Sequence, residues 1–113
     1  MPVIVDIDDT LLRRGIYPIQ KTINYVKSLN TAVHIVTGRM EVQRKTTEAA
    51  LRKAGVSYVG LHMNPYSTKD SNRFKSEMAK KLASKVDLAI DNDAGARKVY
   101  EDAGIKTLDP ASL

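Results

Sequence analysis

The chain has no cysteine and no tryptophan, and phenylalanine occurs once among its 113 residues. The absence of cysteine excludes disulfides, thiolate metal ligands and a cysteine nucleophile, and it is typical of a cytoplasmic protein. No apolar run approaches the roughly 18 residues that a membrane-spanning helix needs, so no membrane association is expected. Three aspartates interrupt the only stretch that could serve as a secretion signal, so no signal peptide is expected either.

Length and charge set further bounds. A chain of 113 residues predicts one domain covering residues 1–113. The formal net charge is +5 at pH 7. This excess weakly favours an anionic partner, such as a phosphate ester or a nucleic acid, although many basic proteins bind neither.

Apolar runs alternate with amphipathic stretches along the chain. Strands are predicted at residues 3–7, 32–36, 57–63, 88–90 and 105–108, and helices at 18–30, 40–54, 72–84 and 94–103. Residues 11–17 are interpreted as a loop and Pro18 as a first-turn residue of the first helix. Strand–helix alternation with short connections predicts a Rossmann-like α/β fold, a doubly wound parallel sheet of about five strands.

The first predicted strand ends in three carboxylates, Asp6, Asp8 and Asp9, followed by Thr10. In open α/β sheets, ligands bind beyond the carboxyl ends of the strands. Such a cluster is costly without a cation, and its hard oxygen ligands suit Mg²⁺. Residues two apart on a strand share a face, so Asp6 and Asp8 should converge while Asp9 points away. The alternative is a solvated acidic turn, and this pattern alone does not decide between the two.

Asp6-Ile7-Asp8-Asp9-Thr10 resembles the DxDx[TV] signature of the haloacid dehalogenase (HAD) superfamily of phosphotransferases. Three further motifs of that superfamily follow in order. Thr37 comes after the second predicted strand, Lys75 lies on a predicted helix, and Asp91 follows the strand at 88–90. The stretch 86–93 is similar to the corresponding part of the 3′-phosphatase domain of polynucleotide kinase-phosphatases. The four motifs together span nearly the whole chain.

The resemblance implies a Mg²⁺-dependent phosphatase that acts through an aspartyl phosphate. Asp6 would be the nucleophile, and Asp8 the general acid and then the general base. Thr37 would donate a hydrogen bond to a phosphoryl oxygen, and Lys75 would neutralise the phosphoryl group. The resemblance further implies these positions: substrate binding by Thr10, Gly38 and Arg39, and Mg²⁺ binding by Asp6, the main-chain carbonyl of Asp8, and Asp91.

Several residues keep an alternative interpretation. Thr37 also suits a strand end through β-propensity alone, and Arg39 also suits a solvated helix start. Asp93 could assist the metal through water or cap the following helix. The third-motif cation could be another nearby residue of the same charge, which would be Lys69, Arg73, Lys80 or Lys81. His34 is expected to be packed, and His62 could face the site.

The spacing of the motifs bears on the substrate. The segments between Asp8 and Thr37, and between Thr37 and Lys75, are too short to hold the cap domain that covers the site in many HAD enzymes. A site without a cap suits a substrate with its own bulk, or closure by a homo-oligomer. Stacking on bases would fall to Tyr17, Tyr58 or Tyr66 at best.

The sequence therefore predicts a capless, HAD-like phosphomonoester hydrolase. The expected substrates are nucleic-acid 3′-phosphate ends or nucleotides. No Gly-x-x-x-x-Gly-Lys-[Ser/Thr] loop is present, so no kinase half is expected. One alternative is a 5′-nucleotidase or small-metabolite phosphatase. Another is a noncatalytic module that binds phosphate or nucleic acid.

Overall fold

Five short strands form a parallel sheet at the centre of the protein, in a computed structural model that describes all residues from 1 to 113. The chain has seven strands in all, which are, in chain order, β1 (Val3–Val5), β2 (Leu12–Arg13), β3 (Tyr17–Pro18), β4 (Val33–Met40), β5 (Gly60–Asn64), β6 (Leu88–Ile90) and β7 (Lys106–Leu108). The parallel sheet has the order β5-β4-β1-β6-β7. β2 and β3 pair with each other as an antiparallel hairpin.

β1 lies at the centre of the sheet, and all three of its residues are buried. Val5 pairs with Ile35 of β4 on one side and with Ile90 of β6 on the other. Because helices cover both faces of the sheet here, the run Val3-Ile4-Val5 is apolar throughout and does not alternate.

Four helices cover the sheet: α1 (Gln20–Leu29), α2 (Arg44–Lys53), α3 (Ser71–Leu82) and α4 (Ala94–Asp102). Ile23 of α1 and Leu51 of α2 contribute to one buried cluster with Val5. Phe74 of α3 and Tyr100 of α4 contribute to a second cluster with Ile4. Since Ile4 and Val5 point to opposite faces, the sheet is doubly wound, which confirms the predicted fold class. None of the helices is long and apolar enough to cross a membrane.

The first loop was predicted wrongly. Residues 12–18 form the β2–β3 hairpin, whose turn places Arg14 and Gly15 at positive φ values of 52° and 80°. Pro18 lies in β3 and not in a helix; α1 begins at Gln20, after Ile19. Strands of two residues are too short to give a periodic pattern, so the sequence offers no alternation to detect.

The boundaries around the second predicted strand also differ. β4 continues past Val36 to Met40, and Met40 pairs with Asn64 of β5 beyond a register shift. The Asn64 side chain is fully buried and donates to the Gly38 carbonyl at 3.2 Å. A 3₁₀ turn at Glu41–Gln43 then precedes α2, so the helix begins four residues later than predicted.

Candidate functional site

The carboxyl ends of β1, β4 and β6 open into one cleft of about 870 Å³. Asp6 follows β1 directly and Asp91 follows β6, and these two strands are hydrogen-bonded neighbours. Gly38 and Arg39 reach the cleft from the end of β4. The lining side chains and glycines come from the strand ends, the hairpin, α2 and α3: Asp6, Asp8, Asp9, Gly15, Ile16, Gly38, Arg39, Gln43, Thr46, Ala50, Thr68, Lys69, Ser71, Asn72, Lys75, Asp91, Asn92 and Asp93.

Lys75 stands between two buried carboxylates. Its Nζ donates to Asp6 Oδ1 at 3.1 Å and to Asp91 Oδ2 at 2.7 Å. The three residues are all buried, with Asp6 and Lys75 each 5% exposed and Asp91 fully enclosed. The other cations considered for this position, Lys69, Arg73, Lys80 and Lys81, are all exposed. Only Lys75 is therefore placed to compensate the carboxylates.

Burial shapes the pKa values of this cluster. The pKa of Asp6 is raised from 3.8 to about 7, chiefly by burial, while Lys75 opposes the shift and the nearby Asp91 adds to it. Burial alone would lower the pKa of Lys75, but the attraction of Asp6 and Asp91 outweighs it and raises that pKa. In the absence of a further cation, Lys75 is thus a fixed positive charge and Asp6 takes up a proton near neutral pH.

A hydroxyl and an amide orient Asp6. Thr10 Oγ1 donates to Asp6 Oδ2 at 3.1 Å and accepts from the Asn92 N–H at 3.1 Å. The Asn92 side chain satisfies its neighbours when its nitrogen donates to Asp6 Oδ2 and to the Asp8 carbonyl, each at 3.0 Å. Thr10 is fully buried, so its hydroxyl supports the carboxylate and is not exposed to a substrate. Sequence reasoning gave Asn92 no role, although its place after Asp91 was the available signal.

Arg39 holds the Asp8 carboxylate in a bidentate ion pair. Its Nε and Nη2 donate to the two Asp8 oxygens at 3.0 and 2.8 Å. The same guanidinium donates to Thr47 Oγ1 at 3.2 Å and to the Gly15 carbonyl at 3.1 Å. Four of its five N–H groups are therefore engaged within the protein. The alternative of a solvated helix-start residue is wrong for Arg39, because it lies in β4 with a side chain only 12% exposed.

The remaining β4 positions differ in access to the cleft. Thr37 is fully buried, and its Oγ1 accepts from the Arg39 N–H at 3.0 Å. Gly38 lines the cleft and lies so close to Ser71 that a Cβ at position 38 would overlap the Ser71 Oγ.

Asp9 also lines the cleft, in a left-handed conformation with φ of 60°. The expectation that Asp9 points away is therefore wrong, because β1 ends at Val5 and strand alternation does not extend to Asp9.

Asp93 acts as the N-cap of α4. Its Oδ2 accepts from the Ala96 N–H at 2.8 Å, while its own N–H donates to Asp91 Oδ1 at 2.9 Å. Arg97 of the same helix donates to the Asp91 carbonyl at 2.9 Å. The beginning of α4 thus fixes both the backbone and the side chain of Asp91.

The two histidines lie away from the cleft. His34 Nδ1 and His62 Nε2 are 3.3 Å apart across β4 and β5, and the two rings stack. His62 therefore does not face the site, contrary to one of the expectations.

Of the tyrosines considered for base stacking, Tyr17 is exposed on the hairpin, Tyr58 packs against the core, and Tyr66 contacts Arg73 and Glu77. None of the three lines the cleft.

The donor set is compatible with Mg²⁺. No three His, Cys, Asp or Glu side chains converge as a ready metal site. However, Mg²⁺ needs only one or two carboxylates and completes its octahedron with water and substrate oxygens. Asp6 Oδ1 and both Asp91 oxygens each have a single partner here and so keep a free lone pair. Together with the Asp8 carbonyl, these two carboxylates could hold the ion.

Comparison with known proteins finds similarity at the level of solved structures. Neither the protein-family models nor the curated proteins include a match to this chain. Among solved structures, a chain in the Pnkp1/Rnl/Hen1 RNA repair complex superposes with a TM-score of 0.71 and 21% sequence identity. The match covers 96% of this chain and 41% of that chain. At this identity the similarity shows a shared fold.

Proposed function

We propose that this chain is a HAD-type, Mg²⁺-dependent phosphomonoester hydrolase that acts on phosphorylated nucleic-acid ends or nucleotides, with 3′-phosphate ends as the leading substrate. One observation carries the proposal: a buried lysine bridges Asp6 and Asp91 in a cleft at the carboxyl ends of neighbouring parallel strands. A purely structural role would not need three buried charges at a cleft, because buried ion groups are costly to maintain.

The residues of the cleft suffice for phosphoryl transfer to a carboxylate. An oxygen of Asp6 attacks phosphorus in line as the bond from phosphorus to the leaving oxygen breaks, and an aspartyl phosphate forms. Lys75 offsets negative charge on the phosphoryl oxygens, and protonated Asp8 gives its proton to the leaving alkoxide. Asp8 then takes a proton from the water that attacks the aspartyl phosphate, which releases phosphate and restores Asp6. A bound Mg²⁺ would contribute further charge neutralisation and alignment of the phosphate.

The ion pair with Arg39 has a mechanistic consequence for Asp8. It holds the carboxylate at the mouth of the cleft, where the side chain remains about half exposed. The water that attacks the aspartyl phosphate can therefore reach the Asp8 carboxylate directly from solvent.

The likeness to a chain of an RNA repair complex supports nucleic acid as the substrate class. The basic net charge of +5 and the lack of a cap domain between Asp8 and Thr37 or between Thr37 and Lys75 agree with a large anionic substrate. Because the chain spans 41% of the matched chain, other activities of that protein are not transferred to this one.

The decisive experiment measures phosphate release in Mg²⁺ from three substrates: a 3′-phosphorylated oligonucleotide, a 5′-phosphorylated oligonucleotide and mononucleotides. Asp6→Asn should abolish release, while Asp9→Asn, which also changes a cleft carboxylate, should retain most of it. Release from the 3′-phosphorylated end supports the leading substrate, and preference for mononucleotides indicates a nucleotidase. Tight oligonucleotide binding with no release from any substrate would overturn the enzymatic proposal in favour of a binding module.

A further inference from the structure

We propose that one arm of the cleft is an uncharged subsite for the nucleoside part of the substrate. This arm, the α2 arm, is formed by Ile16 of the hairpin, by Gln43 at the N-cap of α2, and by Thr46 and Ala50 within α2. The inference deepens the proposed function and rests on it.

The position of Asp8 gives the direction in which the leaving group must lie. A general acid has to be within hydrogen-bond reach of the leaving oxygen. Arg39 ties Asp8 to the Gly15 carbonyl of the hairpin and to Thr47 of α2, so Asp8 faces the α2 arm. Asp91 lies on the other side of Asp6, because β4 and β6 flank β1 on opposite sides. Lys75 bridges Asp6 and Asp91, and this pair would face the phosphoryl oxygens. The organic part of the ester therefore extends towards the hairpin and α2.

The chemistry of this arm differs from the rest of the cleft. Ile16 and Ala50 are the only hydrophobic residues that line the cleft, and both belong to the α2 arm. Ile16 is 60% exposed, so most of its side chain is accessible to a ligand. Gln43 and Thr46 supply an amide and a hydroxyl beside these apolar surfaces. Flat apolar area with a few neutral hydrogen-bonding groups suits a nucleoside.

The charge pattern of α2 supports the same conclusion. Half of the ten helix residues are charged, and these are Arg44, Lys45, Glu48, Arg52 and Lys53. None of them lines the cleft, whereas Gln43, Thr46 and Ala50, spaced at one helix face, do. The helix thus turns its neutral stripe to the cleft. A site for a sugar phosphate or a dicarboxylate would instead place cations on this stripe.

The test compares a nucleoside 3′-monophosphate with glycerol 3-phosphate, which has the same phosphate but no base. The parent protein should show a kcat/KM for the nucleotide about tenfold higher than for glycerol 3-phosphate, because the base covers apolar surface. Thr46→Glu should remove this preference, since the nucleoside would have to strip water from a carboxylate. Ala49→Glu places the same charge on α2 outside the cleft and should leave the preference intact.

A second pair of variants tests the apolar contact. Ile16→Ala should lower kcat/KM for the nucleotide about threefold and lower kcat/KM for glycerol 3-phosphate by a smaller factor. Val42→Ala, which truncates another exposed apolar residue that does not line the cleft, should change neither. Because Ile16 and Thr46 are exposed, these variants are not expected to disturb folding.

The outcomes separate the subsite from the catalytic proposal. Equal turnover of both substrates, lost in Asp6→Asn, would overturn the subsite and leave the phosphatase standing. No turnover of any substrate would overturn both. A 3′-phosphorylated oligonucleotide that is turned over faster than the mononucleotide, with the same loss in Thr46→Glu, would support the subsite as the place of the terminal nucleoside.

Discussion

At Lys75, one ammonium group faces two carboxylates, so the buried cluster carries one negative charge in excess when Asp6 is ionised. The net charge that remains in this cluster depends on which of its three side chains is removed. Loss of the cation leaves two carboxylates without compensation, whereas loss of one carboxylate leaves a neutral pair. Opposite effects on stability are therefore expected from substitutions at neighbouring positions of one cluster.

Lys75→Met should destabilise the protein by about 3–5 kcal/mol at pH 8, because removal of one partner leaves buried charges unpaired. Urea denaturation followed by circular dichroism measures this difference. Lys80→Met, which removes an exposed lysine of the same helix, serves as the control and should change stability by less than about 0.5 kcal/mol. Equal effects of the two substitutions would show that the Lys75 ion pairs do not contribute the expected free energy of unfolding.

Asp6→Asn should stabilise the metal-free protein at pH 8, by about 1–4 kcal/mol. The pKa of Asp6 is raised to about 7 in the folded protein from its ordinary 3.8, so protonation favours the folded state. This contribution is complete below pH 4 and is lost as the pH rises through 7. The stability difference between variant and parent should therefore grow from pH 4 to pH 8 in the presence of a chelator. A difference independent of pH would contradict the shifted pKa.

Some of the polar residues of the site could be placed together from the sequence, and others could not. Asp6 and Asp91 each follow an apolar run, and neighbouring parallel strands bring such residues to one edge, so the sequence was sufficient to place them together. The hydrogen-bond partners of Arg39 could not be predicted from the sequence. Its partners Asp8, Gly15 and Thr47 come from three segments, and only the packed structure defines their distances.

Among the elements, α4 supports the site from behind, because its N-cap and first turn hold Asp91. Asp93→Ala should cost about 1 kcal/mol through loss of the N-cap hydrogen bond to Ala96. Asp93→Ser should restore most of that stability, since serine is also a good N-cap. If Asp93 is only a cap, phosphatase activity will follow stability in the two variants. Lower activity in the stable serine variant would instead show that the carboxylate assists the metal.

Prediction of elements succeeded where they were long and periodic. The five parallel strands and four helices were all anticipated, because apolar runs and amphipathic periods of this length are distinctive. The β2–β3 hairpin and the extension of β4 to Met40 were missed. In both cases the deciding contacts are not local: the hairpin turn is bound by Arg39, and the end of β4 by Asn64 of β5.

For the whole molecule, the close contact of Gly38 with Ser71 sets how near α3 can approach the end of β4. This approach carries Lys75 to Asp6. Gly38→Ala should destabilise the protein by about 1–3 kcal/mol, because the added Cβ would overlap the Ser71 side chain. Ser71→Gly should relieve the loss in the double variant. The measurement is a double-mutant cycle by urea denaturation, and simple additivity of the two changes would contradict the steric explanation.

The central position of β1 affects folding of the protein during translation. β1 is synthesised before its neighbours, yet one of its edges stays unpaired until β6, beginning at Leu88, has emerged. Until then this edge of an apolar strand is open to aggregation or to chaperones. The charged cluster is assembled equally late, because Asp91 follows β6. A nascent chain interrupted before that point therefore lacks Asp91 and Asn92, and such products are expected to be inert.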